Sequence, residues 1–290
     1  MYPIGVNWKY QDLIDLEISR LKRFGWLDFP ATDSGLRIAK KVEESYISYP
    51  SESYDSDLGN SESSGIWATH RANLISKVMK LSGAKVMWEV GSGDGNVAIS
   101  LRDRDLAVIG IEPLATGANV TTAAGIRTYL GTLDSLFLPA NSVDLIGAFD
   151  VIEHIQYPEG LLNEIHRVLK PNGTLILSVP AHQFLYSDFD KSIGHFRRYS
   201  KSKLQNDLEG VGFRENKLEY IFSIFVFPAL LLRLVPTLLR RNRDSKATIQ
   251  STKRLNKILS ILTPIIRVLL AFERYVNLPF GLSLMSVSKK

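Results

Sequence analysis

Three glycines in five positions, Gly91, Gly93 and Gly95, follow the apolar run "VMWEV" and open a helix-like run. A backbone stripped of side chains there can pass close to a bound group. Glu89, inside the run, sets the chemistry of that group: a carboxylate repels a pyrophosphate but suits the ammonium of an amino-acid moiety. Farther along, "FDVIEHI" gathers Asp150, Glu153 and His154, and "DFDKSIGHFRRY" gathers Asp190, His195, Arg197 and Arg198. A neutral imidazole accepts protons near pH 7. Guanidinium groups pair with phosphate or carboxylate in fork geometry. Together these residues describe a site that holds one reactant by its backbone and its ammonium and can deprotonate or clamp a second.

Such residues need a scaffold. From Lys85 onward, short apolar runs alternate with helical patterns. The predicted strands are "VMWEV", "LAVIGI", "IRTYL", "VDLIGAF" and "GTLILSVP", and the predicted helices include residues 66–81 and 158–170. Buried strands alternating with helices indicate a doubly wound parallel sheet. A glycine turn after its first strand lies at the carboxyl edge, where ligands bind. Dinucleotide folds place a third glycine or alanine at the end of G-x-G-x-x-G. Here that position is Asn96, and the glycines fall as G-x-G-x-G.

On these motifs the chain resembles the class I S-adenosylmethionine-dependent methyltransferases, over roughly residues 65–221 plus the last strand. The resemblance implies a seven-stranded Rossmann-like α/β sheet, five parallel strands plus a hairpin from residues near 213–220 and 282–288. It implies S-adenosylmethionine as cofactor, with Gly91, Gly93 and Gly95 running under its ribose and methionyl part. Glu89 then meets the ammonium, and Asp150 stands beside the methionyl end. Glu112, at the end of "VIGIE", accepts both ribose hydroxyls, since a carboxylate offers an oxygen to each. Thr132 and Leu133 meet the adenine through hydroxyl and backbone where relatives often carry an acid; Asp134 is the substitute. Arg71 is either a partner of the cofactor carboxylate or part of a solvated helix face.

The segment "VPAHQFLYSDFDKSIGHFRRYSKSKL" resembles a subgroup of these enzymes with a G-H-x-R-R-Y stretch, seen near cell-surface glycan and lipid assembly. That implies His154 or His195 as the proton acceptor, with Asp190 orienting or substituting. Arg197 and Arg198 either hold an anionic group of the acceptor or latch the loop through Asp190. No metal is assigned, because Asp150, Glu153 and His154 are too few ligands for an octahedral oxygen-preferring ion. The other readings kept open are a soluble small-molecule acceptor, a nicotinamide-dependent oxidoreductase or epimerase, and a membrane adaptor that retains the fold without turnover.

The chain of 290 residues is 45% hydrophobic and 22% charged, which suits a folded protein, and it has no cysteine. Its start carries Asp12, Asp15 and Glu17 where a signal peptide needs an apolar core, and reads as an amphipathic helix. The net charge of +5 is uneven: residues 222–280 hold ten Lys or Arg against Asp244 and Glu273, a local +8 that leaves −3 elsewhere. That argues against a nucleic-acid partner for the whole domain. Four parts are therefore expected: an N-terminal helix and a mobile Ser- and acid-rich cap (1–64), a methyltransferase core (65–221), a helical insertion (222–280) and a closing strand (281–290). The uncharged run that leads into the insertion, "YIFSIFVFPALLL" (220–232), is thirteen residues, short of the roughly 20 that span a bilayer. Apolar helices studded with Lys and Arg fit the interface of an anionic membrane. The expectation is a cytoplasmic enzyme, peripheral on the inner face of the cell membrane, acting on a lipid-linked acceptor. Oligomeric state is not legible.

Overall fold

The computed structural model describes residues 8–39, 62–226, 266, 268–273 and 278–290. In chain order these form α1 (Trp8–Arg23), β1 (Arg37–Ile38), α2 (Glu62–Ser82), β2 (Val86–Val90), α3 (Asn96–Arg102), β3 (Ala107–Glu112) and α4 (Ala115–Ala123). There follow β4 (Arg127–Leu130), β5 (Val143–Phe149), α5 (Glu159–Val168), β6 (Leu169–Pro180), α6 (Asp188–Ser192), α7 (Lys201–Gly210), β7 (Arg214–Ile221) and β8 (Ser283–Lys289).

Strands β2 and β3 are buried along their whole length, the pattern of a parallel sheet covered on both faces. The order is β1-β4-β3-β2-β5-β6-β8-β7. β1 to β6 run parallel, and β8 lies antiparallel between β6 and β7. The chain winds outward from β2 through β3 and β4, then restarts on the other side at β5. Loops leaving β2 and β5 therefore diverge at the carboxyl edge and open the crevice in which this class of sheet binds ligands.

The doubly wound class and the closing hairpin follow the sequence expectation to within a residue or so. The strand count does not: there are eight strands, because Arg37 and Ile38 pair in parallel with Tyr129 and Leu130. A two-residue strand offers no period for a pattern to reveal. The same segment corrects the boundary at residue 64, since residues 8–39 belong to the core. Tyr10, Ile14, Ile18 and Leu21 of α1 are buried in it, and the Tyr10 hydroxyl donates to the Val108 carbonyl (2.7 Å). Trp26 Nε1 donates to the Leu136 carbonyl (2.7 Å), beneath a Trp88–Tyr129 stack. Helix α2 begins at Glu62, ahead of the expected residue 66, so the expected cap loop (51–65) gives up its end to a helix; residues 40–61 lie outside the described residues. Helix α5 stops at Val168 because Leu169 pairs with Val143 in the sheet.

Most of the expected basic insertion (227–265, 267, 274–277) also lies outside the described residues. Its described ends are tied to the core. The buried Glu273 accepts from the Phe222 N–H (3.1 Å) and Ser223 N–H (2.6 Å) and sits 3.2 Å from His70 Nε2. Ile266 and Leu270 are buried while Val268, Leu269 and Phe272 are exposed. Among the described residues no helix is long and apolar enough to cross a membrane.

Candidate active site

The turn after β2 passes through Gly91, Gly93 and Gly95 in the left-handed region (φ +70°, +56° and +76°), which side chains rarely adopt. A Cβ on Gly91 would stand 2.7 Å from Val151 Cγ2, so this glycine lets the β2 and β5 loops approach. The Ile111 carbonyl accepts from the Gly91 N–H (2.8 Å) and Ser92 N–H (3.1 Å), and Thr121 Oγ1 of α4 donates to the Gly93 carbonyl (2.8 Å). Glu112, buried at the end of β3, accepts from the Gly93 N–H (2.8 Å) and Leu114 N–H (2.9 Å). It thereby holds the loop in place.

Glu89 lies below the loop, fully buried, and its Oε2 meets no hydrogen-bond partner among the described residues. Burial pushes its carboxyl up to about 8; the charge of Arg71 opposes this, and the nearby Asp94 and Glu112 carboxylates add to it. Arg71 reaches in from α2 and pairs with Asp150 Oδ2 (2.5 Å), while its buried Nε has no partner among the described residues. It lies against the Phe149 and Phe222 rings and is no part of a solvated helix face. Asp150 itself is left-handed (φ +55°), held by its N–H to the Ser178 carbonyl (2.9 Å) and by Ser178 Oγ on its Oδ1 (3.2 Å). Backbone strain in a non-glycine residue is a frequent mark of a functional position.

Thr132 and Leu133, expected at the adenine through hydroxyl and backbone, lie in the turn after β4. The Thr132 N–H is taken by Ser135 Oγ (3.1 Å), and Leu133 packs its side chain into the core. The turn is thus built from its own polar groups, leaving the Thr132 hydroxyl as that residue's contribution to a ligand. The other residues fit S-adenosylmethionine: the unbonded Glu89 oxygen for its ammonium, Arg71 Nε for its carboxylate, Glu112 for its ribose and the three glycines for close passage.

On the far side of the crevice, β6 leads into a loop pinned at its base by Ala181 and Tyr199. Inside it Ser187 and Asp190 cap α6 reciprocally. Asp190, with no exposed surface, accepts from the Ser187 N–H (2.9 Å), Ser187 Oγ (3.0 Å) and Arg198 Nε (2.8 Å), and lies 3.2 Å from His195 Nδ1. Burial raises its carboxyl, but the His195 bond, the Arg198 charge and the Ser187 bonds outweigh that and hold it below the usual range. Asp190 is consequently an orienting group and not a substitute base. Arg198 is buried too; its Nη1 donates to the Ala181 carbonyl (3.2 Å). Of the two roles open to it in the sequence, these contacts fit the latch, not the acceptor ligand. Arg197 is the accessible guanidinium, donating to the Gln156 carbonyl (2.6 Å).

Asp190, while ionised, accepts the Nδ1–H of His195 and leaves the Nε2 lone pair facing Glu153 Oε1 at 3.9 Å. His154 stacks edge-on against His195, ring centroids 4.6 Å apart. Burial, then the neighbouring His195, pulls the His154 imidazole down to about 4, too weakly basic to lead proton removal. Glu153, weighed in the sequence only as a metal ligand, was left without a role there. It is fully buried, and neither carboxylate oxygen meets a hydrogen-bond partner among the described residues. Burial, reinforced by Asp150, raises its carboxyl well above the usual range. The available signal was its place between Asp150 and His154, on the 3₁₀ turn Ile152–His154 that follows β5.

A family profile described as a methyltransferase domain matches residues 67–217. The chain is 33% identical over 151 residues to a probable S-adenosylmethionine-dependent methyltransferase of Mycolicibacterium smegmatis, a match covering 51% of this chain and 59% of that one. It is 32% identical over 99 residues to an uncharacterized methyltransferase of Mycobacterium leprae, covering 32% and 36%. Matches to these curated relatives thus span from about a third to three fifths of the relatives' length. A solved SAM-dependent methyltransferase from Thermotoga maritima gives a TM-score of 0.49 at 19% identity, covering 77% of this chain and 91% of that one.

Proposed function

The chain belongs to the methyltransferase-domain family, and on that premise we propose that it transfers a methyl group from S-adenosylmethionine to an oxygen of a lipid-linked glycan or isoprenoid-type acceptor at a membrane surface. The observation that carries the donor half is Glu89: a buried carboxylate oxygen with no protein partner, under a glycine loop, is a place made for a cation. When bound, the sulfonium supplies an already activated methyl group, so the protein's contribution is mainly orientation, which alone can lower a barrier by several kcal/mol.

This chain's residues divide that task. Glu89, Arg71, Glu112 and the glycines hold the donor; Asp150 braces Arg71. Asp190, fixed by Arg198 and Ser187, sets the tautomer of His195. His195 Nε2 then takes the proton of the acceptor hydroxyl, and Arg197 pairs with an anionic group on the acceptor. The nicotinamide-dependent alternative is dropped on the family premise.

The membrane half rests on the +8 charge of residues 222–280 and on the amphipathic spacing at its described end, with Phe272 exposed and Leu270 buried. Exposed Phe184, Phe189 and Phe196 on the acceptor loop suit an apolar acceptor. The test is incubation of the pure protein and methyl-labelled donor with separated lipid, glycan and small-metabolite fractions, with flotation on anionic and neutral vesicles. Label entering the lipid fraction, with flotation on anionic vesicles, is the expected result. Label confined to small metabolites refutes the acceptor class, and absence of transfer to any fraction favours the adaptor.

A further inference from the structure

We propose that Glu153, His154 and His195 form a binding site for one divalent transition-metal ion at the acceptor side of the crevice. The inference rests on the methyltransferase reading for its purpose but not for its geometry.

Three observations carry it. One carboxylate oxygen and one nitrogen from each imidazole lie within 4.8 Å of one another. At metal–ligand distances of about 2.0–2.2 Å, donors on one ion sit roughly 3–3.5 Å apart, so these need to draw in by only about 1 Å. Second, Glu153 is fully buried, with neither oxygen bonded among the described residues, and its Oε1 points at His195 Nε2 (3.9 Å). A buried carboxylate is stabilised by close partners or by a metal, and among the described residues none hydrogen-bonds this one, His195 standing off at 3.9 Å. Third, His195 carries the supporting bond of a metal-ligating histidine: its other nitrogen lies on the Asp190 carboxylate (3.2 Å), a carboxylate–histidine arrangement that fixes the tautomer and raises ligand basicity. Arg198 and Ser187 hold that carboxylate in turn.

Two imidazoles and one carboxylate suit zinc, iron(II), cobalt, nickel or manganese, and do not suit magnesium or calcium, which take oxygen ligands. Three protein ligands leave coordination positions open on the ion. An acceptor oxygen at one of them is held in position and made more acidic by the ion's charge. The His195 lone pair then serves the ion, and the acceptor's proton passes to solvent water. The sequence reading counted only Asp150, Glu153 and His154 and assigned no metal; the ligand it lacked, His195, arrives from a loop more than forty residues later in the chain.

The test uses the full-length, untagged protein, freed of metal with a chelator and titrated with Zn²⁺, Mn²⁺ and Co²⁺ by calorimetry, with the visible spectrum recorded for Co²⁺. Donor binding is measured separately, with and without metal. The expected result is one ion per chain, with Glu153→Gln and His195→Ala each weakening it more than the roughly 10–100-fold typical of losing a supporting residue, and Asp190→Asn weakening it within that range. Circular dichroism and donor binding report whether each variant is folded. Failure of the wild-type protein to take up any of the three ions overturns the proposal, as does equal uptake by the folded variants. Either result leaves the methyltransferase reading intact if donor still binds; loss of donor binding by the wild-type protein refutes that reading instead.

Discussion

Each side of the crevice holds one carboxylate bonded to the loop it supports and one buried carboxylate with an oxygen that meets no hydrogen-bond partner among the described residues. On the donor side Glu112 is bonded to two backbone N–H groups, whereas Glu89 keeps an oxygen without a partner. On the acceptor side Asp190 gathers Ser187, His195 and Arg198, whereas neither carboxylate oxygen of Glu153 meets a hydrogen-bond partner among the described residues. The bonded member holds the loop. The other costs stability, since a buried polar group without a partner carries its full desolvation penalty. The two carboxylates on each side therefore differ in what holds them, and mutation can separate their effects.

The largest effects should fall on the members that build. Gly93→Val forces a β-branched residue into left-handed backbone and puts a side chain where the donor passes; donor binding measured by calorimetry should be lost. Asp190→Ala leaves the Arg198 guanidinium buried and unpaired, which typically costs about 3–5 kcal/mol. Denaturant unfolding should show that loss. An Asp190→Ala protein as stable as wild type would break the division between building and functional carboxylates.

Much of this was legible in the sequence, for identifiable reasons. Strands β2 and β3 and the second half of β6 are nearly continuous apolar runs, and the glycine loop with Glu89 and Glu112 has few competing explanations once it follows a strand and opens a helix. What was hidden depends on distance in the chain. Arg37 and Ile38 carry no periodic signal, and their strand exists because Tyr129 and Leu130 present a free edge. Arg198 and Arg197 are adjacent and chemically identical in sequence; only the packing of Asp190 makes one a latch and leaves the other half-buried. The burial of Glu153 is imposed by the 3₁₀ turn after β5 and the loop that covers it, so no local pattern announces it.

The members with an unbonded oxygen should behave in the opposite way. Glu89 holds its proton up to about pH 8 in the folded chain against a usual value of 4.5. Between those values the unfolded chain has lost the proton and the folded chain has not. The difference in bound protons, unfolded minus folded, is therefore negative, and stability falls as pH rises, by at most about 1.4 kcal/mol per unit, levelling above about pH 8. Glu89→Gln removes this titration. Its stability relative to wild type should rise from about pH 5 to about pH 9 by a few kcal/mol while its donor affinity drops, because an amide cannot pair with an ammonium. Parallel stability–pH curves for the two proteins would show that Glu89 is not the uncompensated group described here. His195→Ala should come next in size: turnover falls with donor affinity nearly unchanged, as for a group that serves the transition state. Collapse of donor affinity with the saturated rate preserved would make His195 part of the latch.

The smallest effect sharpens the contrast between the two adjacent arginines. Arg197 is half-buried and donates to the Gln156 carbonyl, so Arg197→Ala should cost less stability than Arg198→Ala, about 1 kcal/mol or less. It should also leave donor affinity alone, since Arg197 touches none of the donor-side residues. What it should change is the KM for an anionic acceptor. A hydrogen bond to a charged group contributes about 1.5–3 kcal/mol, which converts to a rise in KM of roughly tenfold or more, with kcat little altered if the contact is equal in ground and transition states. Arg198→Ala should do the reverse, costing stability first and KM only through it. Lysine at 197 keeps the charge but not the fork, and should recover part of the affinity for a phosphate-bearing acceptor. An unchanged KM in Arg197→Ala would reduce this residue to a brace on the Gln156 carbonyl and move the search for the acceptor's anchor to the aromatic side chains of the same loop.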